Sequence, residues 1–298
     1  MRLGGPVFLS RSATPKQWVD EHLRLGYGAC YLPAGDSPDD QAHALELAAA
    51  AHLAGIVVAE VGVWTNTIAA DAVQRASAFD KNCAYLSLAD RARAACCVNI
   101  AGSLGVQWDG PHPRNLDEDT FDLIVSIVRN IIDTVRPTRT FYTLEPMPWV
   151  FPDSPGNYYR LLRAIDRPAF GVHLDIVNMV NSPYRFYGLD KLIDESFSLL
   201  GPWIKAVHLK DVAMSGKLTV HIEERRPGLG ELNFARQLSA ASKLSPELPL
   251  LLEHLPDASE YDAAAAHVRS AAILANVQFI SPTPHPAPHV APHVAGRL

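Results

Sequence analysis

A chain of 298 residues with 48% hydrophobic side chains has ample material for one large core, and a barrel of ~250 residues plus a tail fits that length. Charged residues are 19% and the net charge is −6, without a basic stripe or polybasic block, which argues against a disordered body and against nucleic-acid binding through phosphate neutralisation. The cysteines Cys30, Cys83, Cys96 and Cys97 form no Cys-x-x-Cys, no signal-peptide pattern opens the chain and no apolar run nears ~18 residues. A cytoplasmic protein with reduced thiols and no membrane partner is expected, with self-association left open.

In chain order, β-like apolar runs fall at 6–9, 27–32, 55–61, 95–101, 139–145, 169–175, 203–209 and 248–253. Helical spacing occupies the segments between them. The first helix is expected over 15–25, opened by Thr14 as N-cap, and a second over the Ala- and Leu-rich 39–53, closed by Gly55. A third, 117–135, puts Phe121, Ile124, Val125, Val128 and Ile131 or Ile132 on one stripe. Similar patterns cover 155–165, 189–200, 234–244 and 258–274. Eight strands alternating with helices predict an α/β chain of the (β/α)8 TIM-barrel class. A doubly wound open sheet would carry a glycine-rich phosphate turn after an early strand, and Gly-Tyr-Gly-Ala at 26–29 lies before or within a strand instead.

Two segments depart from this rhythm. Residues 214–226 alternate like a small hairpin at the active mouth and lead into Pro-Gly-Leu-Gly at 227–230, a natural lid or substrate wall. The barrel is expected to occupy 1–280 and a disordered or polyproline-like tail 281–298, where proline and histidine repeat and His285, His289 and His293 would be solvated.

Four strand-like runs end in chemistry: Glu145 in Thr-Leu-Glu-Pro, Asp175 in Val-His-Leu-Asp, His208 in Val-His-Leu-Lys-Asp and Glu253 in Leu-Leu-Leu-Glu-His. Their spacings, 175−145=30, 208−175=33 and 253−208=45, suit successive strand–helix units whose C-terminal ends share one mouth. Three carboxylates and an imidazole converging there make a hard, mostly oxygen site for one divalent cation. Side chains alternate along a strand, so His173 is expected to face the same way as Asp175, Lys210 as His208 and Thr143 as Glu145. Glu60 and Asn99 lie near the ends of earlier strands. An inward lysine is costly unless it meets an anion or a substrate oxygen, which makes Lys210 a substrate-binding candidate.

A carboxylate-held cation can take two neighbouring oxygens of a hydroxy-ketone and stabilise the enediolate left when the adjacent C–H proton departs. Glu145 and Glu253 can each keep one oxygen on the cation and use the other in proton transfer, as a catalytic acid/base pair. Epimerisation, aldose–ketose isomerisation and dehydration all follow from that arrangement. Trp64, Trp108, Trp149 and Phe151 follow strand-like runs and can line an apolar wall for a sugar ring. In the hairpin, His221, Glu223, Arg225 and Arg226 are within reach of a bound sugar.

The strand-end ligands, the Val-His-Leu-Lys-Asp run and the later Pro-Gly-Leu-Gly-Glu-Leu-Asn-Phe resemble the xylose isomerase-like TIM-barrel superfamily over about residues 5–275. More narrowly, the chain looks like the sugar phosphate isomerases/epimerases, relatives of ketose 3-epimerases and inosose dehydratases. The resemblance implies that Glu145, Asp175, His208 and Glu253 bind one Mn²⁺, Mg²⁺ or Co²⁺. It also implies that Glu145 and Glu253 are the acid/base pair and that the partner is a small carbohydrate. Ketose 3-epimerases carry a His three residues after the Asp where this chain has Asn178, and an Arg where it has Met214; both hold the ketose there, so a plain ketohexose epimerase is disfavoured. Lys210–Asp211 echoes the inosose-dehydratase branch, which leaves a lyase on an inosose or keto-glycoside as the alternative. Endonuclease IV shares the barrel, but its three-zinc site needs a histidine where this chain has Asn178 and an Asp-x-His in the strand-seven loop, where His221 is preceded two residues earlier by Thr219 in place of the Asp. A binding or scaffold protein would not require both glutamates.

Overall fold

The computed structural model describes residues 1–10 and 13–283, so the Pro/His repeat with His285, His289 and His293 lies outside the described residues. Eight parallel strands close into a barrel: β1 (Arg2–Gly4), β2 (Ala29–Tyr31), β3 (Val57–Gly62), β4 (Cys96–Asn99), β5 (Tyr142–Leu144), β6 (Phe170–Leu174), β7 (Ile204–Leu209) and β10 (Pro249–Leu252). Around the ring they run β1-β10-β7-β6-β5-β4-β3-β2. An antiparallel hairpin, β8 (Asp211–Ser215) with β9 (His221–Arg225), follows β7 directly. It is the hairpin expected at 214–226, begun three residues sooner.

The helices are α1 (Pro15–Arg24), α2 (Pro38–Leu53), α3 (Ala72–Ala92), α4 (Glu118–Val135), α5 (Pro155–Ile165), α6 (Pro183–Tyr187), α7 (Leu189–Leu200), α8 (Phe234–Ala241) and α9 (Ala258–Leu274). Thr14 caps α1 as expected: its side chain accepts from the Gln17 N–H while the Gln17 amide returns to the Thr14 backbone, leaving two fewer orphan donors. Among the described residues no helix is long and apolar enough to cross a membrane.

The large apolar core lies between strands and helices, and inside the barrel the layers are small: Ala29, Ala59 and Leu251 in one, Cys96, Val98 and Ala206 in another. The register shifts in two pairings, β6 with β7 at Val172/His173 and β2 with β3 at Cys30/Tyr31. Between β2 and β3 the register steps from Cys30↔Val58 to Tyr31↔Glu60, so Ala59 is an extra residue. Glu60 then pairs with Cys96 of β4. This bulge turns Glu60 as well as Ala59 into the barrel.

The first strand corrects the sequence reading. It is Arg2–Gly4, not 6–9, because Gly4 alone admits the β2 backbone: a Cβ there would stand 2.4 Å from the Ala29 carbonyl oxygen. The apolar 6–9 run is a loop whose Phe8 ring rests 5.6 Å from Tyr261. Helix α3 is not among the segments singled out in the sequence, and its buried face mixes Ala78, Tyr85, Leu86 and Ala89 with the polar Asn82. Asn82 donates to Thr65 Oγ1 (2.7 Å) and the Ala78 carbonyl (2.7 Å), and its oxygen accepts from Tyr142 (2.7 Å) and Asn99 (3.2 Å). Beyond α9 the chain is held under β1, with Ile280 N–H on the Met1 carbonyl (2.9 Å) and the Arg2 guanidinium on the Ser281 carbonyl (2.9 Å).

Replacing Asn82 by Ala strands the Tyr142 hydroxyl and the Asn99 amide in the core, so Asn82→Ala is expected to cost about 2–4 kcal/mol in chemical denaturation. A loss below about 0.5 kcal/mol would show that this network does not hold α3 to the barrel.

Candidate metal centre

Because the parallel strands all end at one mouth and side chains alternate along each strand, the inward residues at the strand ends meet. Glu145 follows β5, Asp175 follows β6, His208 is the penultimate residue of β7 and Glu253 follows β10. Their donor atoms lie within 4.8 Å of one another. His208 Nδ1 is 2.7 Å from Glu253 Oε1, 3.2 Å from Glu145 Oε1 and 3.8 Å from Asp175 Oδ2. Glu145, Asp175 and His208 are buried, while Glu253 keeps 10% of its side chain open. Tyr158 of α5 pins the two acidic strand ends together: its hydroxyl donates to the Leu144 carbonyl and accepts from the Leu144 (3.2 Å) and His173 (3.1 Å) N–H groups.

Lys210 brings its ammonium to the same place, 2.5 Å from Glu253 Oε1, 2.9 Å from Asp175 Oδ2, 3.5 Å from Glu224 Oε2 and 3.6 Å from Glu145 Oε1. Asn178 ties three of these groups: its backbone N–H donates to Asp175 Oδ1 (3.0 Å), its amide to Glu145 Oε1 (3.0 Å), and its oxygen accepts from Lys210 (3.3 Å). Burial disfavours a charged His208, yet Glu253, Glu60 and Glu145 outweigh it and hold its pKa well above the ordinary imidazole value. Burial likewise opposes the Lys210 charge, and Asp175, Glu253, Glu145 and Glu224 raise its pKa well above normal. Glu253 is raised by burial but pulled well below the carboxylate range by His208 and Lys210.

The donor set fits a divalent cation. Three carboxylates and one imidazole are convergent, and Asp175 Oδ2 and Glu253 Oε1 are buried without a hydrogen bond of good geometry, although both lie close to the Lys210 ammonium. Oxygens so placed, with Lys210 as a neighbouring charge, keep electron pairs that a divalent cation at the mouth can take up.

Other candidates are distributed more widely. His173 shares its strand face with Asp175 but lies a layer deeper, fully buried, with Nε2 2.7 Å from Glu60 Oε2, so it faces the barrel interior and not an incoming ligand. Asn99 points outward to Asn82 and Thr65. Trp149 sits on the rim, its indole N–H donating to the Asp109 carbonyl (2.7 Å). Phe151 is buried edge-on against Phe121 of α4 at 5.4 Å and serves the core. Trp64 and Trp108 line a cavity of about 560 Å³ whose walls include none of the four ligand candidates. His221 and Glu223 are exposed on one face of β9, with Glu223 paired to Arg225. Glu224, on the opposite face of the strand, is the hairpin residue that reaches Lys210 and also His254 (3.2 Å).

Asp211 explains the Pro-Gly-Leu-Gly motif. Its carboxylate accepts from the N–H groups of Val212 (2.8 Å) and of Gly228, Gly230 and Leu232 (each 2.9 Å). Gly228 has φ +93, and a Cβ on Gly230 would lie 2.4 Å from Asp211 Oδ1. The motif therefore anchors the hairpin's return. Sequence reasoning missed Glu224 and the anchoring role of Asp211; strict alternation in 221–225 was the available signal for the first, and the paired glycines for the second.

The sequence pattern of the xylose isomerase-like TIM barrels matches residues 19–271. The chain belongs to that family. A xylose isomerase-like TIM barrel protein from Mycobacterium smegmatis, solved in complex with magnesium, aligns at TM-score 0.63 and 15% identity over 89% of this chain and 90% of its own. The 3-keto-D-glucoside 4-epimerase YcjR from E. coli aligns at 0.65 and 15% over 91% and 99%. The probable 3-DHS dehydratase AsbF from Bacillus anthracis aligns at 0.65 and 15% over 90% and 97%. No curated protein matches the chain in sequence.

A proton on His208 must leave before Nδ1 can hold a cation, and the raised pKa means that the proton is retained into neutral solution. Cation affinity is therefore expected to fall as pH is lowered, by up to about tenfold per pH unit, with about one proton released per ion bound. Calorimetry in buffers of different ionisation enthalpy measures the release; affinity independent of pH would contradict the assignment of His208.

Proposed function

We propose that this chain is a divalent-metal-dependent isomerase or epimerase of a sugar or keto-sugar, working by proton abstraction next to a carbonyl through an enediolate. The observation that carries the reading is the placement of Glu145 and Glu253. They stand on strands that flank the β6–β7 pair, and both reach His208 Nδ1, at 3.2 and 2.7 Å. Two carboxylates arriving from different sides of one small site can serve opposite faces of a planar intermediate.

When bound by Glu145, Asp175, His208 and Glu253, a divalent cation would supply positive charge beside the substrate's carbonyl oxygen. One glutamate takes the proton from the neighbouring carbon, and the C–H electron pair becomes the new carbon–carbon double bond as the carbonyl oxygen gains negative charge. The other glutamate, after taking a proton from the Lys210 ammonium or from solvent, delivers it to the opposite face of the same carbon in an epimerase; in an isomerase the proton goes to the former carbonyl carbon while the neighbouring hydroxyl's proton passes to the former carbonyl oxygen. The Lys210 ammonium, 2.5 Å from Glu253 Oε1, lies where it can hold that oxygen's charge. Asn178 fixes the Glu145 carboxylate and shares Lys210, so we assign it to positioning and substrate contact. Trp149 offers the rim an apolar surface, and Glu224 offers an acceptor from the hairpin.

Lys210 also supports a second reading. An ammonium beside the base can give its proton to a departing β-oxygen, releasing water from an inosose or the alcohol from a keto-glycoside and leaving an unsaturated ketone; this is a lyase. The similarity to a dehydratase and to a keto-glucoside epimerase accords with either.

The test is incubation of the Mn²⁺-loaded protein in D2O with ketoses, inososes and 3-keto-glycosides. Solvent deuterium should enter the carbon next to the carbonyl, with or without net product. Glu145→Gln and Glu253→Gln should each lower exchange by about 10²–10⁴-fold. Lys210→Met should retain the metal while losing turnover. Full exchange in both glutamine variants would end the acid/base assignment.

A further inference from the structure

We propose that Glu60 and His173 form a buried positioning pair that holds His208 with its Nδ1 lone pair toward the three carboxylates; the inference rests on the metal-centre reading above. Glu60 stands on β3, four strands away from β7 along the ring, and faces inward because Ala59 is an extra residue in that strand. Its Oε2 meets two imidazoles at once, His173 Nε2 at 2.7 Å and His208 Nε2 at 3.4 Å. The two rings pack edge to face, 4.1 Å between centroids at 80°. All three residues are at most 2% exposed, so a substrate at the mouth does not reach Glu60.

Burying a carboxylate in a barrel is expensive, and its surroundings here could have been filled by apolar residues as small as the neighbouring Cys96, Val98 and Ala206. What the charge accomplishes is visible in the imidazole it faces. His208 Nε2 has no hydrogen-bond partner of full geometry, and the carboxylate in front of it favours a proton on that nitrogen. A ring with its N–H on Nε2 has its lone pair on Nδ1, the atom that faces Glu145, Asp175 and Glu253. A carboxylate behind a ligating histidine also raises the ligand's basicity and fixes the ring plane. His173 completes the arrangement from β6. It holds the shared Glu60 oxygen by the shorter contact, and its own Nδ1 is buried without a partner. The strand that ends in Asp175 thus also fixes the carboxylate that orients His208.

The experiment compares wild type with Glu60→Gln in Mn²⁺ titration calorimetry, with folding checked by circular dichroism. The wild type should bind one ion per chain, and Glu60→Gln one ion about 10–100-fold more weakly. A second measurement needs no variant: in wild type loaded with a spin-active cadmium isotope and nitrogen-labelled histidine, the metal should couple to Nδ1 of His208 while Nε2 bears the proton. Equal Mn²⁺ affinity in wild type and variant, coupling to Nε2, or a second ion held by Glu60, His173 and His208 would each overturn the proposal. A wild-type protein that takes up no cation would instead overturn the metal-centre reading beneath it.

Discussion

Three carboxylates gathered at one barrel mouth are the constraint around which this molecule is organised. Oxygens closer than 4.8 Å repel with an energy on the order of 3 kcal/mol per charged pair, even at an effective dielectric of ~20. Water cannot relieve the strain, because Glu145 and Asp175 are buried and Glu253 is nearly so. Positive charge must therefore be brought in. Lys210 supplies one unit from within the cluster and His208 carries a second when protonated. A divalent cation, replacing the His208 proton, leaves the balance closer to neutral than either side chain can.

The remaining structure serves that arrangement. Parallel strands bring the four side chains to one end, and Tyr158 locks the backbones of β5 and β6 where two of the acids emerge. The bulge at Ala59 adds a fourth carboxylate beneath the first three, where it meets the imidazoles of His173 and His208. Asp211 fastens the segment after the hairpin by accepting from Gly228, Gly230 and Leu232, and so keeps Glu224 over the Lys210 ammonium. The hairpin and the candidate metal centre thereby share a border: the hairpin touches Lys210, which touches the acids.

Much of this was legible in the sequence because barrels obey simple periodicities. Apolar runs of six or seven residues marked seven of the eight strands, and the strand-end residues Glu145, Asp175, His208 and Glu253 converge because parity and register are shared. Where reading failed, a local exception was responsible. The first strand is only Arg2–Gly4 and is defined by the close approach of Gly4 to β2, which no hydrophobic pattern records. The buried face of helix α3, Ala78, Tyr85, Leu86, Ala89 and Ala92, is interrupted by the polar Asn82. Parity alone could not separate Glu60, turned inward by a bulge, from Asn99, turned outward to Asn82. Nor could it tell that His173, on the same face as Asp175, sits too deep to meet a ligand.

The central claim is that four strand-end side chains hold one cation with Lys210 at its side. Anomalous diffraction from crystals soaked in Mn²⁺ tests it most directly. The account predicts one strong peak per chain, about 2.1 Å from donor atoms of Glu145, Asp175, Glu253 and Nδ1 of His208. A peak elsewhere, or none at a concentration that saturates binding in solution, would contradict it.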